Sequence, residues 1–132
     1  MGAQYLATSV AAENLDLVGP SSVKSIPSNG QNQDVVSMAL NAGRRCLRLA
    51  DNVGTILSVL ALACRQAAHL RGPDTLSPAG RRWFAAFAAQ AGPHDEEQPV
   101  YPLLDAAREF HLGSGAELAR ELVGLAGVAG ER

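Results

Sequence analysis

"DVVSMALNAGRRCLRLADNVGTILSVLALACRQAAH", residues 34–69, contains no proline and sets Val36, Leu40, Leu47, Val53, Ile56, Leu57, Leu60 and Leu62 at helical spacing. At 1.5 Å per residue such a helix runs about 54 Å. A compact globule made from this chain has a diameter of only roughly 36 Å. Between Val53 and Cys64 the helix is apolar nearly all the way round, interrupted by Gly54, Thr55 and Ser58, which predicts burial on every side. One short chain cannot surround it. Gly43 and Gly54 each cost about 1 kcal/mol against alanine inside a helix, and close approach by neighbouring helices would explain them. The expectation is an all-α fold whose long central helix belongs to a multi-helix bundle completed by other chains.

The flanking residues fit that reading. Residues 3–17 carry Tyr5, Leu6, Val10 and several alanines at helical spacing, and Gly19-Pro20 stops the element. Nothing at Met1 to Gln4 resembles an N-cap, so residues 1–20 read as the end of a bundle helix. Residues 21–33 are rich in Ser, Pro, Gly and Asn and read as a loop; an Asn29-Gly30 hairpin competes, but its flanks do not alternate. Residues 34–71 form the long helix and 72–132 a region of short helices. There, Ser77 suits an N-cap with Pro78 at the first helical position, and Gly92-Pro93 ends that helix. Residues 103–112 form another, and Ser114 with Glu117 makes a capping box for a last helix to about Val123. Trp83, Phe84 and Phe87 read as packing rather than as a substrate box. No segment reads as a strand.

The 132 residues suit one domain. Aromatics make up only 5% and alanine supplies much of the 47% apolar content, so the core should be thin. A net charge of −2, with signs interspersed, offers no footprint for nucleic acid or an anionic membrane. The opening "MGAQYLATSVAAENLDL" lacks the basic start of a signal peptide, and no charge-free stretch reaches the roughly 18–20 residues of a membrane span. A cytoplasmic protein is expected. Cys46 and Cys64 on one helix would lie about 27 Å apart, too far to pair, and neither has a second metal ligand at finger-like spacing. His69, His94 and His111 share no ligand spacing and read as surface or end-of-helix residues. Arg44, Arg45 and Arg48 read as an anion patch or as a solvated or subunit-facing stripe, with Arg48 able to meet Asp51 at i,i+3.

Against the start of the long helix stands "SNGQNQD", residues 28–34, with carboxamides at Asn29, Gln31, Asn32 and Gln33. Such a cluster is commonly a solvated loop with a helix cap. Asp34, in the expected first turn, complements the helix dipole and is assigned to structure. Amides here could also orient a ligand: each offers two donors and an acceptor while remaining neutral. A helix start would add unpaired backbone N–H groups.

The segment "SIPSNGQNQDVVSMALNAGRR", followed by the apolar helix to "ACRQAAHL", resembles the carboxy-terminal part of the aromatic amino acid ammonia-lyases and aminomutases, enzymes dependent on 4-methylideneimidazole-5-one. "AQYLATSVAAENLDLVGPSSVKSIPS" is also similar and "QPVYPLLDAAREFHLGSG" more loosely, so the resemblance covers most of the chain. It implies that Gln33 and Asn32 belong to the Asn-Gln-Asp motif lining the substrate site, and that Asn29 falls where relatives place a polar or acidic residue near the substrate amine. No catalytic residue and no metal ligand is assigned to this chain. Histidine ammonia-lyases generally carry Glu at the position of Gln33, so the neutral isostere points to phenylalanine or tyrosine.

The prosthetic group of that family forms from an Ala-Ser-Gly tripeptide, and none occurs in these 132 residues. The chain alone is therefore expected to be inactive. The reading that follows is a small subunit of a split lyase or 2,3-aminomutase. The 4-methylideneimidazole-5-one would lie on a larger partner carrying Ala-Ser-Gly, in a hetero-oligomer with four copies of each chain. The alternatives are a non-catalytic helical remnant that self-associates or regulates an intact homologue, and a truncated piece of a longer enzyme.

Overall fold

The computed structural model describes residues 2–27, 30, 32, 35–94 and 98–129, with residues 125–129 described by backbone alone. All regular structure among them is helical. The elements are α1 (Gly2–Leu17), a 3-10 turn (Ser22–Lys24), α2 (Ala39–Arg71), a second 3-10 turn (Pro73–Thr75), α3 (Pro78–Ala88), α4 (Tyr101–Leu112) and α5 (Ser114–Ala129). They divide into two compact units, Met1–Val53 and Gly54–Arg132, with α2 running from one into the other.

In the first unit polar contacts outweigh apolar ones, because α1 buries no residue and leaves Tyr5 and Leu15 largely exposed. Arg45, Arg48 and Asn52 recur at i, i+3 and i+7 on one face of α2 and reach α1 and the residues that follow it. The Arg48 Nε donates to the Glu13 carboxylate at 3.0 Å. The Asn52 amide, buried at 5% exposure, donates to the Asn14 carbonyl oxygen at 2.8 Å. Arg48 thus takes its hydrogen-bonded partner from α1, with Asp51 adding only a Coulombic contribution. The Arg48 side chain holds the Glu13 carboxyl below its ordinary range.

The long helix begins at Ala39, five residues later than the Asp34 start expected from its pattern. Residues 35–38 are non-helical. Two causes act together. The Val36 N–H donates to the Ser25 hydroxyl at 2.7 Å, and Val35 and Val36 are β-branched and stiff in helices. The Ser37 hydroxyl then accepts from the Ala39 N–H at 3.3 Å, and the Met38 carbonyl accepts the first intrahelical bond, from Ala42 at 2.9 Å. The first turn of α2 is therefore Ala39–Ala42 rather than the residues directly after Asp34.

The second unit holds the apolar core. Phe87 and Phe110 are fully buried and stack with centroids 5.0 Å apart. Trp83 lies 5.1 Å from Phe87 and meets Phe110 edge-on at 5.5 Å. Ala61, Ala91 and Ala107 close the cluster from α2, the α3–α4 connection and α4. Ser77 caps α3 as expected, its hydroxyl accepting from the Gly80 N–H at 3.1 Å. The last helix departs from expectation: Ser114 lies inside α5, and the Gly113 carbonyl accepts from Ala116 and Glu117. The Ser114 hydroxyl instead accepts from the Gln90 amide at 3.1 Å. A side chain on Gly115 would come within 2.7 Å of the Phe110 ring and carbonyl, so glycine permits this tight α4–α5 junction.

Within this chain, residues 53–64 are not buried on every side. Ser58 and Ala61 are buried, whereas Leu57 and Leu60 stay about half exposed at 47% and 56%. Gly43 faces open space, and a side chain on Gly54 would first meet the Arg108 guanidinium, at 3.9 Å. By length and composition alone, α2 is also apolar enough to cross a membrane.

His111 sits at the end of α4 among Trp83, Phe87 and Phe110, with ring centroids about 6 Å away. It is an end-of-helix residue, as expected, and is half-buried against the core rings. Burial pushes its imidazole below the ordinary value of 6.5. The unfolded chain therefore binds the proton more readily, and stability from this group, fully present above 6.5, is lost as pH falls towards and through the folded value. His111→Phe should flatten that acid-side decline. Urea midpoints at about pH 7.5 and about pH 5.5 would check this, the variant losing less between them than the wild type.

Candidate functional site

The chain between α1 and α2 is held to α2 at its start and closed on itself just before α2 begins. At its start, the Arg45 guanidinium donates to the Gly19 carbonyl at 2.9 Å, to the Ser21 hydroxyl at 3.2 Å and to the Leu17 carbonyl. A cation thus satisfies the unpaired carbonyl end of α1, where the helix dipole is negative. Gly19 and Ser21 lead into the 3-10 turn, in which Lys24 N–H donates to the Ser21 carbonyl at 3.1 Å. At its end, the Ser25 to Val36 bond joins two residues eleven apart in sequence. Gly30, in the segment between them, has a φ of +64°, a backbone state that suits glycine.

Of the three residues predicted to meet substrate, Asn32 is exposed in a turn and hydrogen-bonds to nothing among the described residues. Asn29 and Gln33, with Gln31 and Asp34, lie outside the described residues. An exposed carboxamide fits a group that faces another polypeptide segment or a ligand. Between the end of α1 and α2, an open cleft of about 480 Å³ is lined by Leu17, Pro20, Ala42, Cys46 and Leu49. A smaller one of about 330 Å³ is bounded by Ser21, Lys24, Asn41, Arg44 and Arg45.

The remaining candidates separate. Arg45 braces the loop and Arg48 pairs with Glu13, so the three arginines do not act as one patch. Cys46 and Cys64 are free and exposed. Among the described residues no three His, Cys, Asp or Glu gather as a metal site. The His94 backbone is clasped by Gln66, whose amide accepts from its N–H at 3.2 Å and donates to its carbonyl at 3.4 Å. The sequence did not single out Ser25, and showed Arg45 only as one of an arginine cluster, because their partners lie eleven to twenty-eight residues away and no local spacing announces them.

Residues 1–89 match the sequence model of a family described as aromatic amino acid lyase. The chain is 48% identical over 114 residues to a tyrosine 2,3-aminomutase of Chondromyces crocatus, covering 86% of this chain and 22% of that protein. It is 53% identical over 129 residues to a tyrosine ammonia-lyase of Cupriavidus metallidurans, covering 89% and 24%. The crystal structure of tyrosine aminomutase from Streptomyces globisporus superposes with a TM-score of 0.81 at 37% identity, covering 92% of this chain and 23% of that one. The chain thus spans roughly a quarter of the length of these relatives.

Proposed function

Because this chain belongs to the aromatic amino acid lyase family, we propose that it supplies substrate-orienting amides to a composite active site of a tyrosine or phenylalanine ammonia-lyase or 2,3-aminomutase. The observation that carries the reading is the exposed turn at Asn32, within the Asn-Gln-Asp motif, on a loop anchored to α2 by Arg45 and closed by the Ser25–Val36 bond. The 4-methylideneimidazole-5-one would reside on a larger partner chain, since no Ala-Ser-Gly occurs here. When bound, that group supplies the electrophile that activates the substrate amine for departure. Asn32 and Gln33 would hold the substrate without competing as nucleophiles, because carboxamides stay neutral while donating and accepting. Asn29 would lie nearer the amine.

Tyrosine is favoured by the relatives' named substrate and by the neutral Gln33 in place of a carboxylate. The exposed Leu40, Leu47, Leu57 and Leu60 of α2 would be covered by other helices in an assembly with four copies of each chain, in the cytoplasm. That reading also accounts for the membrane-like apolarity of α2 without a bilayer.

The test is co-expression with an Ala-Ser-Gly-bearing lyase polypeptide encoded beside it, purification through a tag on this chain, and incubation with tyrosine or phenylalanine. Co-purification with formation of coumarate, cinnamate or the corresponding β-amino acid is the expected result. A complex that forms none of these products would overturn the catalytic reading in favour of a non-catalytic helical protein that associates with, or regulates, an intact homologue.

A further inference from the structure

We propose that Ser25 is a positioning residue for the substrate-orienting amides, with Arg45 as the anchor of the loop that carries them; this rests on the composite-site reading above. The connections form a closed circuit that begins and ends on α2. Arg45 holds Ser21 through its hydroxyl and Gly19 through its carbonyl. Ser21 and Ser22 accept the N–H groups of Lys24 and Ser25, which fixes the 3-10 turn and sets Ser25 in an extended conformation at φ −60° and ψ 132°. From there the Ser25 hydroxyl accepts the Val36 N–H at 2.7 Å in a partly buried bond. Ser37 and Met38 then pass directly into α2.

The consequence is that the connection carrying Asn32 is closed by the bond between Ser25 and Val36, while Arg45 fixes its Ser21 end to α2. Without the Ser25 bond, the tether on the exit side would begin only at the cap of α2. Loose loops lose entropy on ordering around a ligand, and small displacements of positioning groups are expensive. Only the side chain at residue 25 can make this closure. A hydroxyl can accept the Val36 N–H, alanine cannot, and threonine retains the acceptor on the same carbon.

The experiment uses the complex of this chain with its Ala-Ser-Gly-bearing partner, as wild type, Ser25→Ala and Ser25→Thr, and has two readouts. Hydrogen exchange of the Val36 amide reports the clasp itself. Ser25→Ala should speed exchange by about tenfold or more, whereas Ser25→Thr should preserve protection. Steady-state kinetics with tyrosine report positioning: KM should rise about tenfold in Ser25→Ala with kcat within about threefold, and Ser25→Thr should restore KM. A merely structural defect would lower the active fraction, and with it kcat, leaving KM unchanged. Unchanged Val36 exchange in Ser25→Ala would remove the clasp. Faster exchange with unaltered KM would remove the positioning role. A wild-type complex that turns over no aromatic amino acid would defeat the catalytic reading and the positioning role together, and the exchange result would still decide whether the clasp exists.

Discussion

Gln33→Ala lowers turnover of tyrosine or phenylalanine by the assembled enzyme about 100-fold, on the scale of losing one preorganised polar group at a reacting centre. That factor corresponds to about 2.7 kcal/mol of transition-state stabilisation. The expected size follows from what a carboxamide does in such a site. It fixes orientation through two donors and one acceptor, and its truncation leaves the groups it met unpaired. Steady-state assay of the co-purified complex checks it, with the amount of bound partner quantified so that lost assembly is not read as lost chemistry. Activity within about threefold of wild type would remove Gln33 from the site.

Phe110→Ala should destabilise the second unit by about 3–5 kcal/mol, the usual range for emptying a buried phenylalanine site. Phe110 is 1% exposed, stacks on Phe87 and meets Trp83 edge-on, and its ring lies where a side chain on Gly115 would go. Few other large side chains are available to collapse into the space, because Ala61, Ala91 and Ala107 supply the rest of the buried cluster. Urea denaturation followed by Trp83 fluorescence would measure it, since that indole is 5.5 Å from the ring removed. Phe110→Leu, which keeps most of the volume, should lose clearly less. Equal losses for the two variants would mean that packing around the ring is not what holds the unit together.

The helices were legible because each has its own periodicity and its own stops. Gly19-Pro20 ends α1, Ser77-Pro78 opens α3, and the apolar spacing of α2 survives two glycines and five arginines. Boundaries settled by distant partners were not legible. The capping-box pattern at Ser114 and Glu117 is genuine in sequence, yet Gly113 takes the cap position and Gln90, twenty-four residues away, takes the Ser114 hydroxyl. The arginines misled in the same way. Arg48 has an acid three residues on, but the side chain that sits in hydrogen-bond range is Glu13, from another helix.

The candidate site divides along the same line. Its chemistry is a property of residue types: four neutral amides on a proline- and glycine-bearing loop, no Ala-Ser-Gly, and an Asn-Gln-Asp motif resembling that of the lyases can be read from the chain alone. By itself the sequence determined an all-helical chain with a long apolar central helix, because helical periodicity and its breakers are local. Only the tertiary structure decided where that helix begins, which residues brace the amide loop, and that His111 packs against the rings of the core. Each of those outcomes depends on a hydrogen bond or a ring contact whose partner is chosen by proximity in space, and a side chain with several acceptors in reach goes to the one that packing brings closest.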